Sequence, residues 1–370
     1  MKKITISLLI FILAFSLSAC VKTTDKEHNK PNDSTNIANN PNNLVTNPFA
    51  DQKEDNEQSQ QTEDKKEDVD KDKKDENKKE EVKQEQPEQK PSKEEDKQEE
   101  TTPEEPQHSA DEILEVTYNI EALSSTLTGR ETLPPVNFIV KDPYNVTGLS
   151  EERNGFSFGV ATEGKPHSIT VDNQNKFDGY KTNALAWDNK TSDKVLYLTF
   201  DCGYEYENLT SVMLDTLKEK DVTGAFFITM EYLEEAPEVV ARMINEGHIV
   251  GNHSVNHPSN CATLSREEMA KELLGVHNFL RVNYGYNSQY FRFPTGAYSQ
   301  NAIELVHSQN YRSIFWSIAH ADWDPQNQPG VDLPFETITS RLHPGAVILL
   351  HTTSPDNAAI LGNFIDTCFS

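Results

Sequence analysis

Four side chains that can bind a metal ion or move a proton follow short apolar runs of this 370-residue chain. Asp201 closes one run, His253 and His257 follow a second, and His351 closes a third. A carboxylate, a pair of imidazoles and a further histidine are the parts of a metal-assisted hydrolase, in which a base activates water and an acid protonates the leaving group. These residues are therefore the first candidates for a site.

The spacing of these residues leaves alternatives open. His253 and His257 are four residues apart, which on a helix or turn puts both imidazoles on one face, able to share one metal ion. Solvated or core histidines have the same spacing. Asp201 precedes Cys202-Gly203, where a carboxylate acts as a general base or caps the next helix.

Apolar and amphipathic segments alternate through the second half of the chain and define its fold class. This alternation predicts an α/β fold with a parallel sheet and right-handed crossovers. Because reactive residues of parallel α/β folds lie at the carboxyl ends of strands, we expect Asp201, His253 and His351 to share one edge. Strands are predicted over residues 195–200, 224–229, 248–252, 290–293, 312–318 and 346–350, and helices over 209–220, 237–246, 265–283, 335–342 and from Pro355.

Residues 111–190 are predicted to form a lead-in that covers one end of a barrel. Residues 156–160 and 169–171 have the composition of edge strands, and the remainder is rich enough in Gly, Asn and Pro to be mostly loop.

The amino terminus indicates export. Lys2 and Lys3 precede an apolar run over residues 4–17 that ends in Ser18-Ala19-Cys20. The run is too short for a comfortable membrane span and is typical of a signal peptide covering residues 1–20. Its ending resembles a bacterial lipobox, which predicts a diacylglycerol on Cys20; the alternative is an ordinary signal peptide with a chance cysteine. Two acyl chains anchor a protein far better than one.

Residues 21–110 are predicted to be a disordered, charged linker. No aromatic residue occurs between Phe49 and Tyr118, and such a segment cannot bury enough apolar surface to fold. The formal net charge of −26 argues against nucleic acid as a partner, which requires a basic face. Four cysteines, one of them the predicted lipid site, do not make a disulfide framework.

Five short motifs, in one order, resemble those of the polysaccharide deacetylases, carbohydrate esterase family four, also called the NodB-homology family. The resemblance runs from about residue 194 to residue 364 and implies a distorted (β/α) barrel over residues 191–370, which we expect to be short at its carboxyl end. The motifs are Thr199-Phe200-Asp201-Cys202-Gly203, His253-Ser254-Val255-Asn256-His257, Phe291-Arg292-Phe293-Pro294-Thr295-Gly296, Asp322-Trp323-Asp324 and Leu349-Leu350-His351.

The resemblance implies a role for the residues that match. Asp201 matches the base that activates water, and His351 matches the acid that protonates the leaving amine. Arg292 matches the arginine that pairs with the base, and Asp322 matches the carboxylate that supports both Arg292 and the acid. His253 and His257 match metal ligands, and Trp323 matches a wall of the sugar groove.

Two positions depart from the family pattern. Cys202 stands where the family usually has a second Asp as a metal ligand, and as a thiolate it either binds zinc or only packs. Thr295 stands where relatives have Tyr or Arg. Its backbone N–H still fits an oxyanion hole, because that role needs no side chain.

Flanking phrases, Gly203-Tyr204-Glu205 and Thr352 to Ala358, resemble the delta-lactam branch of the family. That branch removes the acetyl group from N-acetylmuramic acid in peptidoglycan, a step towards the muramic delta-lactam of spore cortex. The resemblance thus implies a hydrolase that uses a divalent metal, expected to be zinc, and acts on wall glycan. Together with the predicted lipid on Cys20, this predicts a protein held at the outer face of the cell membrane. Two alternatives stay open: a peptidoglycan N-acetylglucosamine deacetylase and a non-catalytic wall-binding lipoprotein.

Overall fold

The computed structural model describes residues 106–370, of which those from His108 onward form one compact unit. The predicted signal peptide, Cys20 and almost all of the predicted linker lie outside the described residues. No helix in this described part is long and apolar enough to cross a membrane.

A six-stranded parallel sheet forms the centre of the fold, as the alternating pattern predicts. Its strands are β3 (Leu196–Cys202), β4 (Ala225–Ile228), β5 (Ile249–Asn252), β6 (Tyr290–Phe291), β7 (Arg312–Ser313) and β8 (Ala346–His351), and they follow an amino-terminal antiparallel pair, β1 (Ile113–Val116) and β2 (Phe138–Lys141). The strand order in the sheet is β7-β6-β5-β4-β3-β8, and each neighbouring pair is parallel.

Helices connect the strands and cover the outside of the sheet. The helices are α1 (Ser168–Tyr180), α2 (Leu209–Glu219), α3 (Met230–Glu235), α4 (Pro237–Asn245), α5 (Arg266–Tyr284), α6 (Gln300–Ser308), α7 (Asp332–Ser340) and α8 (Pro355–Phe369). Pro237 starts α4, and Ser265 and Glu268 form a reciprocal capping box at the start of α5.

The chain after β7 closes the sheet into a distorted barrel, which confirms the predicted fold class. Ile314 pairs with Leu185, and Ile318 pairs in parallel with Ile348 of β8. The segment predicted as one strand over residues 312–318 therefore contacts β6 at its start and β8 at its end. Only its first two residues are regular strand, because it bends from one sheet edge to the other.

Side-chain alternation along β3 divides the core into two layers. Leu198 and Phe200 belong to the layer between the sheet and the outer helices. Tyr197 points the other way, into the barrel, where Phe227 and Trp316 form part of the second layer. Alternate residues of the strand thus contribute their side chains to opposite layers of the core.

The lead-in packs against the barrel layer, but two of its predicted strands are wrong. Residues 169–171 begin α1, although their β-branched side chains favour a strand. His167 caps this helix, and the buried residues Thr170, Gln174 and Phe177 lie at helical spacing on one face. Residues 156–160 form no regular strand; Phe156 is buried there against Phe315 and Trp316.

Candidate active site

The carboxyl ends of four strands bring the candidate residues to one edge of the barrel. The register of β3 and β8 pairs Asp201 directly with His351. His253 follows β5, and Arg292 follows β6. These residues come from distant parts of the chain, and parallel topology is what makes them neighbours.

Asp201 is buried and held by a fully buried arginine. Arg292 Nη1 donates to Asp201 Oδ1 at 2.8 Å, and its Nη2 donates to Thr199 Oγ1 at 2.8 Å. Burial works to raise the pKa of Asp201, but Arg292 above all holds it below the ordinary value. The carboxylate is therefore ionised, as a general base requires.

Arg292 is itself fixed by the barrel interior. Its guanidinium carbon lies 4.2 Å from the centre of the Phe227 ring. The Phe227 ring in turn covers Gly251, where a Cβ would stand 2.5 Å from it. A glycine at position 251 thus lets the ring and the cation stack beneath Asp201.

The structure brings His253 and His257 together in a tight turn, with their ring centroids 4.8 Å apart. Ser254 and His257 both have positive φ, and the His257 N–H donates to Ser254 Oγ at 3.0 Å. Burial lowers the pKa of His253, and burial followed by its neighbour His253 lowers the pKa of His257 to about 4. Both rings are therefore neutral and able to act as donors to a metal.

The hydrogen bonds of His253 set its tautomer. Its Nδ1 lies 2.8 Å from the Arg292 carbonyl, which only accepts, so Nδ1 carries the proton. The lone pair is then on Nε2, which lies 3.5 Å from Asp201 Oδ2. Two acceptor atoms that face each other at this distance are stabilised by a cation.

The donor set therefore fits a divalent metal at His253 and His257. Neutral imidazoles are good zinc ligands, and the carboxylate of Asp201 faces the same space. Within residues 106–370, however, no three His, Cys, Asp or Glu side chains stand together as a ready-made metal cluster. The structure thus presents two histidine donors and not a closed protein cage.

Cys202 is the predicted ligand that the structure does not bring to this group. It is completely buried in the layer between sheet and helices, with Phe200 and Ile228. Because successive side chains of a strand alternate, Cys202 lies on the face of β3 opposite to Asp201. This placement corrects the ligand interpretation in favour of its alternative, a cysteine that packs.

His351 is held by a buried carboxylate. Its Nδ1 lies 2.7 Å from Asp322 Oδ1, and its backbone N–H donates to Asp322 Oδ2 at 2.8 Å. Burial works to lower the pKa of His351, but Asp322, assisted by Asp201, raises it above the ordinary value. The imidazole is therefore kept protonated at a pH where Asp201 is ionised.

The same contacts correct one predicted role of Asp322. Arg292 donates to Asp201, to Thr199 and to the carbonyls of Ile314 and Phe315, and no hydrogen bond among the described residues joins it to Asp322. Of its two predicted partners, Asp322 therefore holds His351 and makes no hydrogen bond with Arg292. The arginine's donors are directed into the barrel wall, away from that carboxylate.

Sequence reasoning missed two residues that hold Asp322. Asn357 Nδ2 donates to Asp322 Oδ2 at 2.5 Å and to the His351 carbonyl at 3.2 Å. His320 Nε2 lies 2.9 Å from Asn357 Oδ1. The sequence did contain a signal for Asn357, because it is a polar residue on the buried, mostly apolar face of α8.

An open cavity of about 620 Å³ lies over these residues. Trp323, predicted as a groove wall, lines it together with Asp201, His253, His257 and His351. Further lining residues, none of them predicted as a site residue, come from the lead-in, from α3 and from the loop after β3: Tyr118, Glu231, Glu234 and Tyr204. The volume is that of a site for a sugar-sized ligand.

Thr295, the predicted oxyanion residue, has φ of 57° and a buried hydroxyl with no hydrogen-bond partner. This left-handed conformation is uncommon for a β-branched residue and is typical of functional loops. Its backbone N–H donates to none of the described residues. Thr295 is not among the residues that line the cavity.

A parallel barrel with a buried carboxylate, a carboxylate-paired histidine and two further imidazoles at one edge is similar to a carbohydrate esterase. The family model for polysaccharide deacetylase matches residues 188–314. A solved structure of Bacillus subtilis PdaA, a family 4 carbohydrate esterase, is 34% identical and superimposes with a TM-score of 0.56 over 60% of this chain and 93% of that one.

Two relatives show the same likeness in sequence. The peptidoglycan-N-acetylmuramic acid deacetylase PdaA of Bacillus subtilis is 38% identical over 176 residues, and an uncharacterized 30.6 kDa protein of Geobacillus stearothermophilus is 45% identical over 177 residues. The matches cover 47% and 48% of this chain, and 66%, just under two thirds, of each relative.

The chain belongs to the polysaccharide deacetylase family. Its members are hydrolases that act on amide bonds, and they are in general metal-dependent.

Proposed function

We propose that this protein removes N-acetyl groups from peptidoglycan, and from its N-acetylmuramic acid residues in particular. The register of β3 and β8 carries the proposal, because it pairs Asp201 with His351 while each keeps its own buried partner. Two adjacent groups whose surroundings favour opposite protonation states are the usual basis of acid–base catalysis.

In this mechanism Asp201 takes a proton from the attacking water. A bond forms between the water oxygen and the acetyl carbon, and the bond from that carbon to nitrogen then breaks. His351 gives its proton to the departing amine, and acetate is released. Because Nδ1 of His351 holds Asp322, the proton is transferred from Nε2.

A divalent metal, for which we propose zinc, would be held by His253 and His257. When bound, such an ion polarises the acetyl carbonyl and makes water more acidic. Arg292 keeps Asp201 ionised and oriented towards the same space. The Thr295 N–H is a candidate donor to the oxyanion, and its lack of a partner within the described residues supports that role.

Different observations favour N-acetylmuramic acid and N-acetylglucosamine as the sugar that is deacetylated. The name of the B. subtilis relative, a peptidoglycan-N-acetylmuramic acid deacetylase, favours muramic acid. The cavity itself favours an uncharged sugar, because Glu231 and Glu234 line it and no Lys or Arg does so in the part of the chain that the structure describes. N-acetylglucosamine is therefore the second candidate, and Trp323 is a wall for either ring.

We propose that the protein works at the outer face of the membrane, attached through a lipid on Cys20, with residues 21–110 as a tether into the wall. The basic and apolar start and the charged, aromatic-poor stretch support this proposal. The resemblance to the delta-lactam branch supports action on spore cortex.

Mass analysis of digested wall glycan tests the proposal. Peptide-stripped glycan treated with the full chain and zinc should carry free amines on muramic acid. Free amines on glucosamine instead would support the second candidate. A glycan without free amines, from protein with bound zinc, would favour the non-catalytic wall-binding alternative.

A further inference from the structure

A second cavity, of about 400 Å³, lies beside the candidate active site. The loop after β7 forms one side of it, through Ala319, His320 and Ala321. Helix α7 forms the other side, through Leu333 and Arg341 at its end. Its volume is within the range of about 300–1,000 Å³ that small-ligand sites have.

The charged side chains that line the two cavities have opposite sign. Asp201, Glu231 and Glu234 line the first, together with histidines. Arg341 lines the second, and no Asp or Glu of residues 106–370 does so. In the absence of a bound cation, a carboxylate would be repelled by the acidic residues of the first cavity and attracted by Arg341 in the second.

Arg341 lacks a carboxylate partner among the described residues, in contrast to three arginines that are paired. Arg242, Arg266 and Arg292 each have a carboxylate oxygen within 3.0 Å. The half-buried Arg341 donates one side-chain hydrogen bond, to the Ala319 carbonyl at 3.3 Å, and pairs with no described carboxylate. A guanidinium in a concave site with unused donors is suited to a carboxylate, which it can bind with two parallel hydrogen bonds.

His320 connects this cavity with the candidate active site. Its Nε2 lies 3.8 Å from Asp322 Oδ2, and the other oxygen of Asp322 lies 2.7 Å from His351 Nδ1. One carboxyl group therefore separates the second cavity from the acid.

We propose that the second cavity is a carboxylate-binding subsite. It would recognise the carboxylate of a muramic acid lactyl group or of a stem peptide, next to the acetamido group in the first cavity. Leu333, whose side chain is 57% exposed, and Pro334 offer an apolar contact for the carbon skeleton that bears the carboxylate. This subsite rests on the proposed function, and it explains how a site with acidic walls would accept an acidic sugar.

The test is a binding titration of the full chain with chelator present, so that no turnover occurs. The probes are N-acetylmuramic acid, N-acetylmuramoyl dipeptide and N-acetylglucosamine, with affinity measured by calorimetry and the His320 ring signals followed by NMR. N-acetylmuramic acid should bind about tenfold tighter than N-acetylglucosamine and shift the His320 signals. Tight binding of the dipeptide, whose lactyl group is an amide, would assign the subsite to peptide carboxylates.

Arg341→Gln should reduce this preference to near unity, whereas Arg153→Gln, at an exposed arginine, should preserve it. Leu333→Glu is the second variant, because an exposed position in the first turn of α7 accepts a carboxylate without loss of folding. It should weaken binding of N-acetylmuramic acid and leave N-acetylglucosamine unchanged.

Equal affinity of the wild-type protein for the three probes would overturn the subsite, as would a preference that survives Arg341→Gln and Leu333→Glu. Acetate release from glycan would remain in that case. If the proposed deacetylase function were wrong instead, the protein would release no acetate although it still preferred N-acetylmuramic acid in the binding titration.

Discussion

Asp322 accepts two hydrogen bonds from a single residue, His351, one from the imidazole Nδ1 and one from the backbone N–H. This double contact fixes both the orientation of the ring and the position of its proton. The contact favours the protonated form of His351, whereas the neighbouring Asp201 is ionised.

Replacing Asp322 with Asn should move the alkaline limb of the pH–rate profile to lower pH. Asp322 raises the pKa of His351, so the protonated acid persists as the pH rises past its ordinary value of about 6.5. Without the carboxylate the ring loses its proton earlier, and kcat should fall by about 10² or more. Asp324→Asn, at an exposed carboxylate in the same loop, is the control. An unmoved limb in Asp322→Asn would contradict the assignment.

Arg292→Gln should move the acid limb of the same profile to higher pH. Arg292 holds the pKa of Asp201 down, so without it Asp201 takes up a proton at a higher pH. The change also leaves a buried carboxylate without its partner, which should lower the unfolding free energy by about 3–5 kcal/mol. Urea unfolding measures this loss, and Arg153→Gln should change stability by no more than about 0.5 kcal/mol.

If His257 binds the metal and Cys202 only packs, substitutions at the two positions should have different effects. His257→Ala should weaken zinc binding by at least about tenfold, because it removes one of two histidine donors. Cys202→Ala should leave zinc affinity unchanged and lower the unfolding free energy by about 1 kcal/mol through lost packing. Competition with a chromophoric chelator measures the affinities. If Cys202→Ala lost as much affinity as His257→Ala, the packing role of Cys202 would be wrong.

Acid should destabilise the protein well before its carboxylates titrate. Burial lowers the pKa of His248 and of His277 to about 4. As the pH falls below about 6.5 the unfolded chain binds protons that the native state does not, so stability is lost until pH approaches 4. Each histidine should contribute a slope of about 1.4 kcal/mol per pH unit.

Unfolding curves between pH 7 and pH 4 measure this slope. His277→Gln should remove one histidine's share of it, and Thr117→Ser, at an exposed residue without a titratable side chain, should leave it as it is. A slope that His277→Gln does not change would contradict the assignment to buried neutral histidines.

The sequence predicted the barrel and the meeting of its motifs because both depend on local patterns. Apolar runs marked the strands, and parallel topology then required Asp201, His253 and His351 to share an edge. Capping signals such as Ser265 with Glu268 placed helix starts correctly.

The remaining features depend on tertiary contacts that no local pattern reveals. The side of the strand that Cys202 faces follows from the register of β3, and one residue of slip reverses it. Tyr118 reaches the cavity from the lead-in, far from every motif. Residues 169–171 favour a strand by propensity, but the contacts of α1 with the barrel override that preference.

Acetate release from peptide-stripped glycan, measured together with the free amines formed, tests the central claim most directly. The full chain with zinc should release one acetate per free amine, and a chelated sample should release none. Asp201→Asn should abolish release while circular dichroism and zinc affinity stay close to those of the wild-type protein. Full acetate release by a correctly folded Asp201→Asn protein would contradict the account.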